Sequence, residues 1–173
     1  PFARAIAGDY AVFTCASTMV ETAERLTQDD GDLGTSDSPQ QYLLLYGALS
    51  ALARRRHASG LVLDSYLLRA VALAGWAPSC FDCAVCGAEG PHAAFSITEG
   101  GAVCENCRPP GASLPAPDSM ELMGSLLSGN WHDADNSPAW ARSEMMGLVS
   151  SYTQWHIERR LKSLQLLERS AHG

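Results

Sequence analysis

Apolar residues recur along most of the chain at the three- and four-residue spacing of an α-helix. This spacing predicts helices over residues 9–27, from Ser38 to near Arg56, and from Leu61 to Gly75. The apolar stripes are expected at Tyr10, Phe13, Val20 and Leu26 in the first helix, at Tyr42, Leu45, Tyr46, Leu49, Leu52 and Ala53 in the second, and at Leu63, Tyr66, Leu67, Ala70, Val71 and Ala74 in the third. The first half of the chain is therefore predicted to be helical.

The start of the second helix carries a local signal. Ser38 is a preferred N-cap residue, Pro39 suits the first helical position, and Gln41 occupies the capping-box position. These three residues predict that side chains at the start of the helix bind the free backbone N–H groups of its first turn.

The second half of the chain repeats the helical pattern after a proline-rich stretch at residues 109–117. Asp118 and Glu121 are expected to cap a short helix that ends at Gly129. Ser137 then begins the last and longest predicted helix.

Between these helical halves, the pattern changes to that of a hairpin framed by cysteines. Residues 93–97 and 102–103 read as short strands joined by a glycine turn. The cysteines stand as C-x2-C-x17-C-x2-C, at Cys83, Cys86, Cys104 and Cys107. This spacing lets four thiolates surround one zinc ion, and a closed four-thiolate site leaves no position for water. We therefore predict one structural Zn²⁺ per chain, held in a zinc ribbon.

Other residues near the ribbon offer alternative ligands or chemistry. Cys80 and Cys83 are also spaced as a pair, but Gly87 follows Cys86 and suits the turn of a knuckle. His92 is expected in an exposed turn and Cys15 in a helix as a small buried residue. A dithiol switch is the redox alternative, and two pairs in register argue against it.

The fold class that follows is mainly α, a helical bundle-like domain with an inserted four-cysteine zinc ribbon. We expect residues 1–79 to form the N-terminal part of the helical domain, 80–108 the zinc ribbon insert, 109–117 an extended linker, and 118–173 the C-terminal helices that complete the domain.

Composition narrows the class of protein. Of the 173 residues, 46% are hydrophobic and 18% charged, which excludes a disordered chain. No run approaches the roughly 18 apolar residues of a membrane span, and the zinc-like cysteine spacing predicts a cytoplasmic protein. The formal charge is −7, and residues 1–38 hold seven acids against two arginines. This balance disfavours tight binding of nucleic acid by the chain alone.

No catalytic motif accompanies the metal site. The sequence has no phosphate-binding glycine loop, no H-E-x-x-H and no G-x-S-x-G. His156 lies on the apolar stripe of the last helix and is expected to be a core histidine. We therefore predict a protein that is not an enzyme and has no catalytic residues.

Several segments together resemble the C-terminal region of RecO, the bacterial recombination mediator. They are Leu63-Asp64-Ser65-Tyr66-Leu67-Leu68-Arg69, Gly75-Trp76-Ala77-Pro78, the two cysteine pairs with Gly87, and Tyr152-Thr153-Gln154-Trp155-His156-Ile157-Glu158. The resemblance implies a DNA-repair protein of the bacterial cytoplasm and nucleoid. It implies annealing of strands coated by single-stranded-DNA-binding protein, and loading of RecA together with RecR. Family members begin with an OB-fold that contributes most DNA binding; the abrupt start at Pro1 is consistent with a fragment that lacks it.

The resemblance also implies a partner surface. The family's helical region receives the acidic, Phe-ended tail of single-stranded-DNA-binding protein. Two basic groups would suit such a tail, namely Arg54, Arg55 and Arg56, and Arg159, Arg160 and Lys162. The plainer explanation of the first group is that arginines at a helix C-terminus complement the helix dipole.

Two other functional classes remain as alternatives. One is a zinc-ribbon module that binds nucleic acid in transcription or RNA metabolism, although residues 87–103 contain no Lys or Arg. The other is a zinc-dependent hydrolase or deaminase, which needs an open metal position and a general base.

Overall fold

Helices dominate the computed structural model, which describes residues 3–27 and 38–171, with side chains described for residues 3–27 and 39–159. The helices are α1 (Ala3–Ala7), α2 (Tyr10–Thr27), α3 (Ser38–Arg54), α4 (Ser59–Leu73), α5 (Pro117–Ser128), α6 (Trp131–Asn136) and α7 (Ala139–Ala171). Strands β1 (Ala94–Ser96) and β2 (Gly101–Val103) form an antiparallel hairpin. The predicted fold class is confirmed. The short helices α1 and α6 were not predicted, since neither is long enough to show a periodic stripe.

Helix α4 lies at the centre of the fold. It packs against α2, α3, α5 and α7, so side chains on almost all of its faces are buried. A helix that is apolar on every face belongs inside a protein, and the sequence of α4 fits that position. The largest fully buried side chains of the core include Tyr66, Leu68, Met123, Met145 and Tyr152.

The predicted apolar face of α2 is wrong except at Leu26, which is buried. Tyr10 is 86% exposed, and Phe13 and Val20 are also exposed. The other apolar residues of the buried face are Val12, Cys15, Ala16 and Met19. This face includes the small residues Cys15 and Ala16, which let neighbouring helices approach closely.

Helix α3 also differs from its predicted stripe. Leu52 is buried, but Tyr42 and Tyr46 are exposed and stack on each other with ring centroids 6.4 Å apart. Gln41 was expected to cap the helix, yet its Nε2 donates a buried hydrogen bond to the carbonyl of Ala70 over 2.8 Å. The side chain of Ser38, the predicted N-cap, lies outside the described residues.

The start of α5 is capped from a distance. No side-chain cap comes from within the helix, so the predicted caps Asp118 and Glu121 are wrong. Glu144 on α7 instead accepts hydrogen bonds from the backbone N–H of Ala116, over 3.0 Å, and from the Ser119 hydroxyl. The end of the helix follows the prediction, with Gly129 in the left-handed conformation.

Candidate metal centre and partner-binding groove

The structure brings the four sulfur atoms of Cys83, Cys86, Cys104 and Cys107 within 4.8 Å of one another. The Cys86 and Cys104 sulfurs lie 3.8 Å apart, and all six cysteines are free thiols. Sulfurs bound about 2.3 Å from a tetrahedral zinc ion stand about 3.8 Å apart. The donor set and its spacing therefore fit a four-thiolate zinc site.

Backbone hydrogen bonds shape each half of the cluster. The N–H of Gly87 donates to the Cys83 carbonyl over 2.8 Å, and the N–H of Cys107 donates to the Cys104 carbonyl over 3.1 Å. Gly87 takes a φ of 72°, which a residue with a side chain rarely adopts. The two turns are the knuckles that the Cys-x-x-Cys spacing predicts.

The backbone at Ser79 lies close to the backbone of the hairpin and attaches the ribbon to the helical domain. Ser79 donates its N–H to the Gly100 carbonyl over 3.0 Å and accepts the N–H of Ala102 over 2.7 Å. At Gly101 (φ 145°), an added Cβ would collide with the Ser79 backbone. A glycine is required here because the segment after α4 runs directly against β2.

The electrostatics of the cluster favour a bound cation. Backbone N–H groups of Cys104 and Cys86 lower the pKa of Cys83 to about 6, so this thiol ionises readily. The neighbouring Cys104 and Cys86 side chains raise the pKa of Cys107 to about 12. Four adjacent thiols resist ionising together unless a positive ion sits among them.

The alternative ligands lie outside the cluster. Cys80 points its sulfur toward the Pro78 carbonyl, 3.7 Å away, and burial raises its pKa to about 11. His92 places its Nε2 3.0 Å from the Ala88 carbonyl. Cys15 is buried in α2, as expected for a small apolar residue.

A second feature is a groove of about 760 Å³ between α3 and α4. Its walls are mostly apolar, and Leu127 and Trp131 also line it. The wall residues on the two helices are Gln40, Leu43, Leu44, Gly47, Ala48 and Ala51 on α3, and Val62, Ser65, Tyr66, Arg69, Ala72 and Leu73 on α4. Both sets follow helical spacing, so each helix contributes one continuous face.

The groove combines apolar walls with a few polar groups, among them Arg69 and Tyr66. Arg69 is exposed, and among the described residues it is the one charged side chain that lines the groove. Tyr66 is 1% exposed, and its hydroxyl has no hydrogen-bond partner in the described part of the chain. Buried polar atoms usually have partners, so this hydroxyl is an exception in the wall of the groove.

Comparison with known proteins identifies the family. The family model described as "Recombination protein O C terminal" matches residues 7–165. The chain belongs to the RecO family. It is similar to proteins named DNA repair protein RecO from Streptomyces coelicolor (49% identical over 170 residues), Streptomyces avermitilis (47% over 170) and Streptomyces griseus (46% over 169).

These matches cover 98% of this chain but 66% of each Streptomyces protein, so the chain spans slightly less than two thirds of their length. No solved structure matched it. RecO is not a recognised family of catalytic enzymes. In the described part of this RecO chain, no helix has both the length and the apolar character of a membrane span.

The predicted basic residues of this RecO chain are only partly described. Arg54, Arg55 and Arg56 are exposed at the end of α3, and Arg55 forms an ion pair with Asp9 over 2.8 Å. Arg159 lies over the Trp155 ring, 5.0 Å from its centroid. The side chains of Arg160 and Lys162 lie outside the described residues.

His156 is buried, as predicted. It stacks with Trp76 at a centroid distance of 5.5 Å and contacts Tyr152 and Trp155. Burial, together with the charge of Arg159, lowers the pKa of His156. These contacts are those of a packing residue.

The α3–α4 groove was missed by sequence reasoning. The signal was present in the helical spacing of Leu43, Gly47 and Ala51, a stripe of apolar and small residues. The predicted core stripe of this helix ran through Tyr42, Leu45 and Leu49 and left these residues out, because sequence alone does not show which stripe of an apolar helix meets its neighbours.

Proposed function

We propose that this chain is the C-terminal part of a recombination mediator of the bacterial cytoplasm and nucleoid. In this role it helps anneal strands coated by single-stranded-DNA-binding protein and works with RecR to load RecA. Membership of the RecO family is the observation that carries the proposal. The exposed, apolar α3–α4 groove supports a role in holding a partner.

The zinc ribbon is proposed to be a structural insert in one helical domain. Helices α5 and α7, which follow the ribbon, pack against α4, which precedes it. The four cysteine sulfurs would hold Zn²⁺ and join the two ends of the hairpin. In this arrangement the metal fixes the ribbon and leaves no coordination position for a reacting water.

The groove is the proposed site for the acidic, Phe-ended tail of single-stranded-DNA-binding protein. Apolar walls suit the phenyl ring, and Arg69 suits a carboxylate. Arg54 and Arg56 are exposed at the end of α3, close in sequence to Ala51 of the groove wall. Leu52, which is also close to these arginines in the sequence, is 2% exposed and does not line the groove.

The two alternative functions are less well supported. The residues of the ribbon between the cysteine pairs include no Lys or Arg, and Glu89 and Glu99 are exposed, which disfavours direct reading of nucleic acid. The sulfur cluster has four donors, whereas zinc hydrolases keep an open position.

Strand annealing by the complete protein tests the role. Complementary strands coated with single-stranded-DNA-binding protein should anneal faster with the complete protein, and the gain should shrink when Arg69 is replaced by Glu. Truncating the acidic tail of the coating protein should produce a similar loss. Annealing that is indifferent to both changes would contradict the groove as the partner site.

A further inference from the structure

Trp131, a wall residue of the α3–α4 groove, is held by side chains from separate elements. His57 lies between α3 and α4 and stacks on Trp131, with ring centroids 4.0 Å apart and planes inclined by 17°. The Nδ1 atom of His57 lies 2.7 Å from Asp135 Oδ2 on α6. Trp131 lines the groove, so the histidine covers one face of a wall residue.

This contact limits the motion of Trp131. A stacked ring that is itself held by a carboxylate restricts the rotamers open to the indole before any ligand arrives. A wall residue fixed in advance loses less conformational entropy on binding. The side chain of His57 is 20% exposed and that of Asp135 is 39% exposed, so the pair is partly accessible to solvent behind Trp131.

We propose that Trp131, positioned by His57 and Asp135, determines specificity by receiving the aromatic side chain of the tail. This inference rests on the proposed function of the groove. Tryptophan is among the residues that contribute most to binding at protein interfaces. His57 and Asp135 act through Trp131 and are positioning residues.

The charges around the groove fit one orientation of an acidic peptide with a terminal aromatic residue. Arg54 and Arg56 are exposed beside His57 in the sequence and suit the terminal carboxylate. From Val62 to Arg69, helix α4 rises about 10 Å, which an extended peptide spans in about three residues. An acidic residue about three positions before the aromatic ring would then reach Arg69.

The test uses the complete zinc-loaded protein and a synthetic hexapeptide of three aspartates, two alanines and a C-terminal phenylalanine with a free carboxylate. A second peptide carries alanine in place of phenylalanine. Affinity is measured by calorimetry with wild type, Trp131→Ala, His57→Ala, His57→Phe and Asp135→Ala. Asp133→Ala is the matched control. Asp133 also lies on α6, but its carboxylate accepts a hydrogen bond from Asn130 Nδ2 over 2.6 Å.

Trp131→Ala should weaken binding of the phenylalanine peptide about tenfold, and Asp135→Ala about threefold. Asp133→Ala should leave binding unchanged. His57→Phe, which keeps a stacked ring, should bind more tightly than His57→Ala. All of these losses should nearly vanish with the alanine peptide, which a purely structural effect of the substitutions would not produce.

Tryptophan emission gives a second readout. The phenylalanine peptide should change the emission of wild type, and the change should be largely lost in Trp131→Phe. Equal losses for both peptides, or no loss in Asp135→Ala and Trp131→Ala, would overturn the inference while the groove remained the binding site. If neither peptide bound the wild-type protein, the proposed partner itself would be wrong.

Discussion

The hydroxyl of Tyr152 donates a hydrogen bond to the carbonyl oxygen of Trp76 over 3.1 Å. Tyr152 belongs to α7, whereas Trp76 lies in the segment that leads from α4 into the ribbon. The Tyr152 ring also meets Phe95 of β1 edge-on, with centroids 6.0 Å apart. One side chain of the last helix therefore joins the helical core to the hairpin between the two cysteine pairs.

Replacing Tyr152 with Phe should lower the free energy of unfolding by about 1 kcal/mol, because the hydrogen bond is lost while the ring contact with Phe95 is kept. Urea denaturation measures the change, and zinc content should stay the same. Tyr42→Phe, at an exposed position, is the control. An unchanged urea midpoint for Tyr152→Phe would show that this hydrogen bond contributes nothing to stability.

The purified protein should contain one zinc ion per chain. Cys83→Ser and Cys104→Ser should each lower zinc content to well below half an equivalent and unfold the ribbon, because metal binding and folding are linked at such sites. Elemental analysis measures this, with Cys80→Ser as the matched control that keeps its metal. Full zinc content in Cys104→Ser would rule out this ligand set.

Asp64 should make stability depend on pH. Its side chain is 3% exposed, its Oδ1 has no hydrogen-bond partner in the described part of the chain, and burial raises its pKa from 3.8 to about 7. The folded state therefore binds more protons than the unfolded state between these values, so stability falls as pH rises toward and through 7.

Asp64→Asn should remove this fall and stabilise the protein at pH 8, by at most about 4 kcal/mol. Thermal or urea unfolding at pH 5 and pH 8 measures the difference, and the exposed Asp118→Asn serves as control. Parallel pH profiles for wild type and Asp64→Asn would mean that the carboxyl is not desolvated in the folded protein.

The chain on its own should bind DNA weakly, with a dissociation constant no tighter than about 1 µM at physiological salt, because its formal charge is −7. Mobility-shift titration with a single-stranded oligonucleotide measures this. Nanomolar binding would contradict the prediction and make Arg159, Arg160 and Lys162 the first residues to replace.

Features that depend on neighbours in the sequence were predictable. The spacing of the cysteine pairs, with Gly87 after the first pair, predicted a four-sulfur cluster, because a Cys-x-x-Cys turn places two sulfurs together and a short hairpin joins two such turns. The longer helices followed from apolar periodicity, and the left-handed Gly129 from the glycine at a helix end.

Features that depend on distant residues were not predictable. The cap of α5 by Glu144 and the stacking of His57 on Trp131 join parts of the chain that only packing brings together. Packing also decided which face of α2 points outward.

The sequence by itself determined the longer helices, the hairpin and the candidate metal ligands, because local spacing and backbone preference suffice for these. Only the tertiary structure decided which helix faces are buried and where a groove stays open. An apolar helix has several equivalent faces, and the energy that selects among them comes from contacts with other elements.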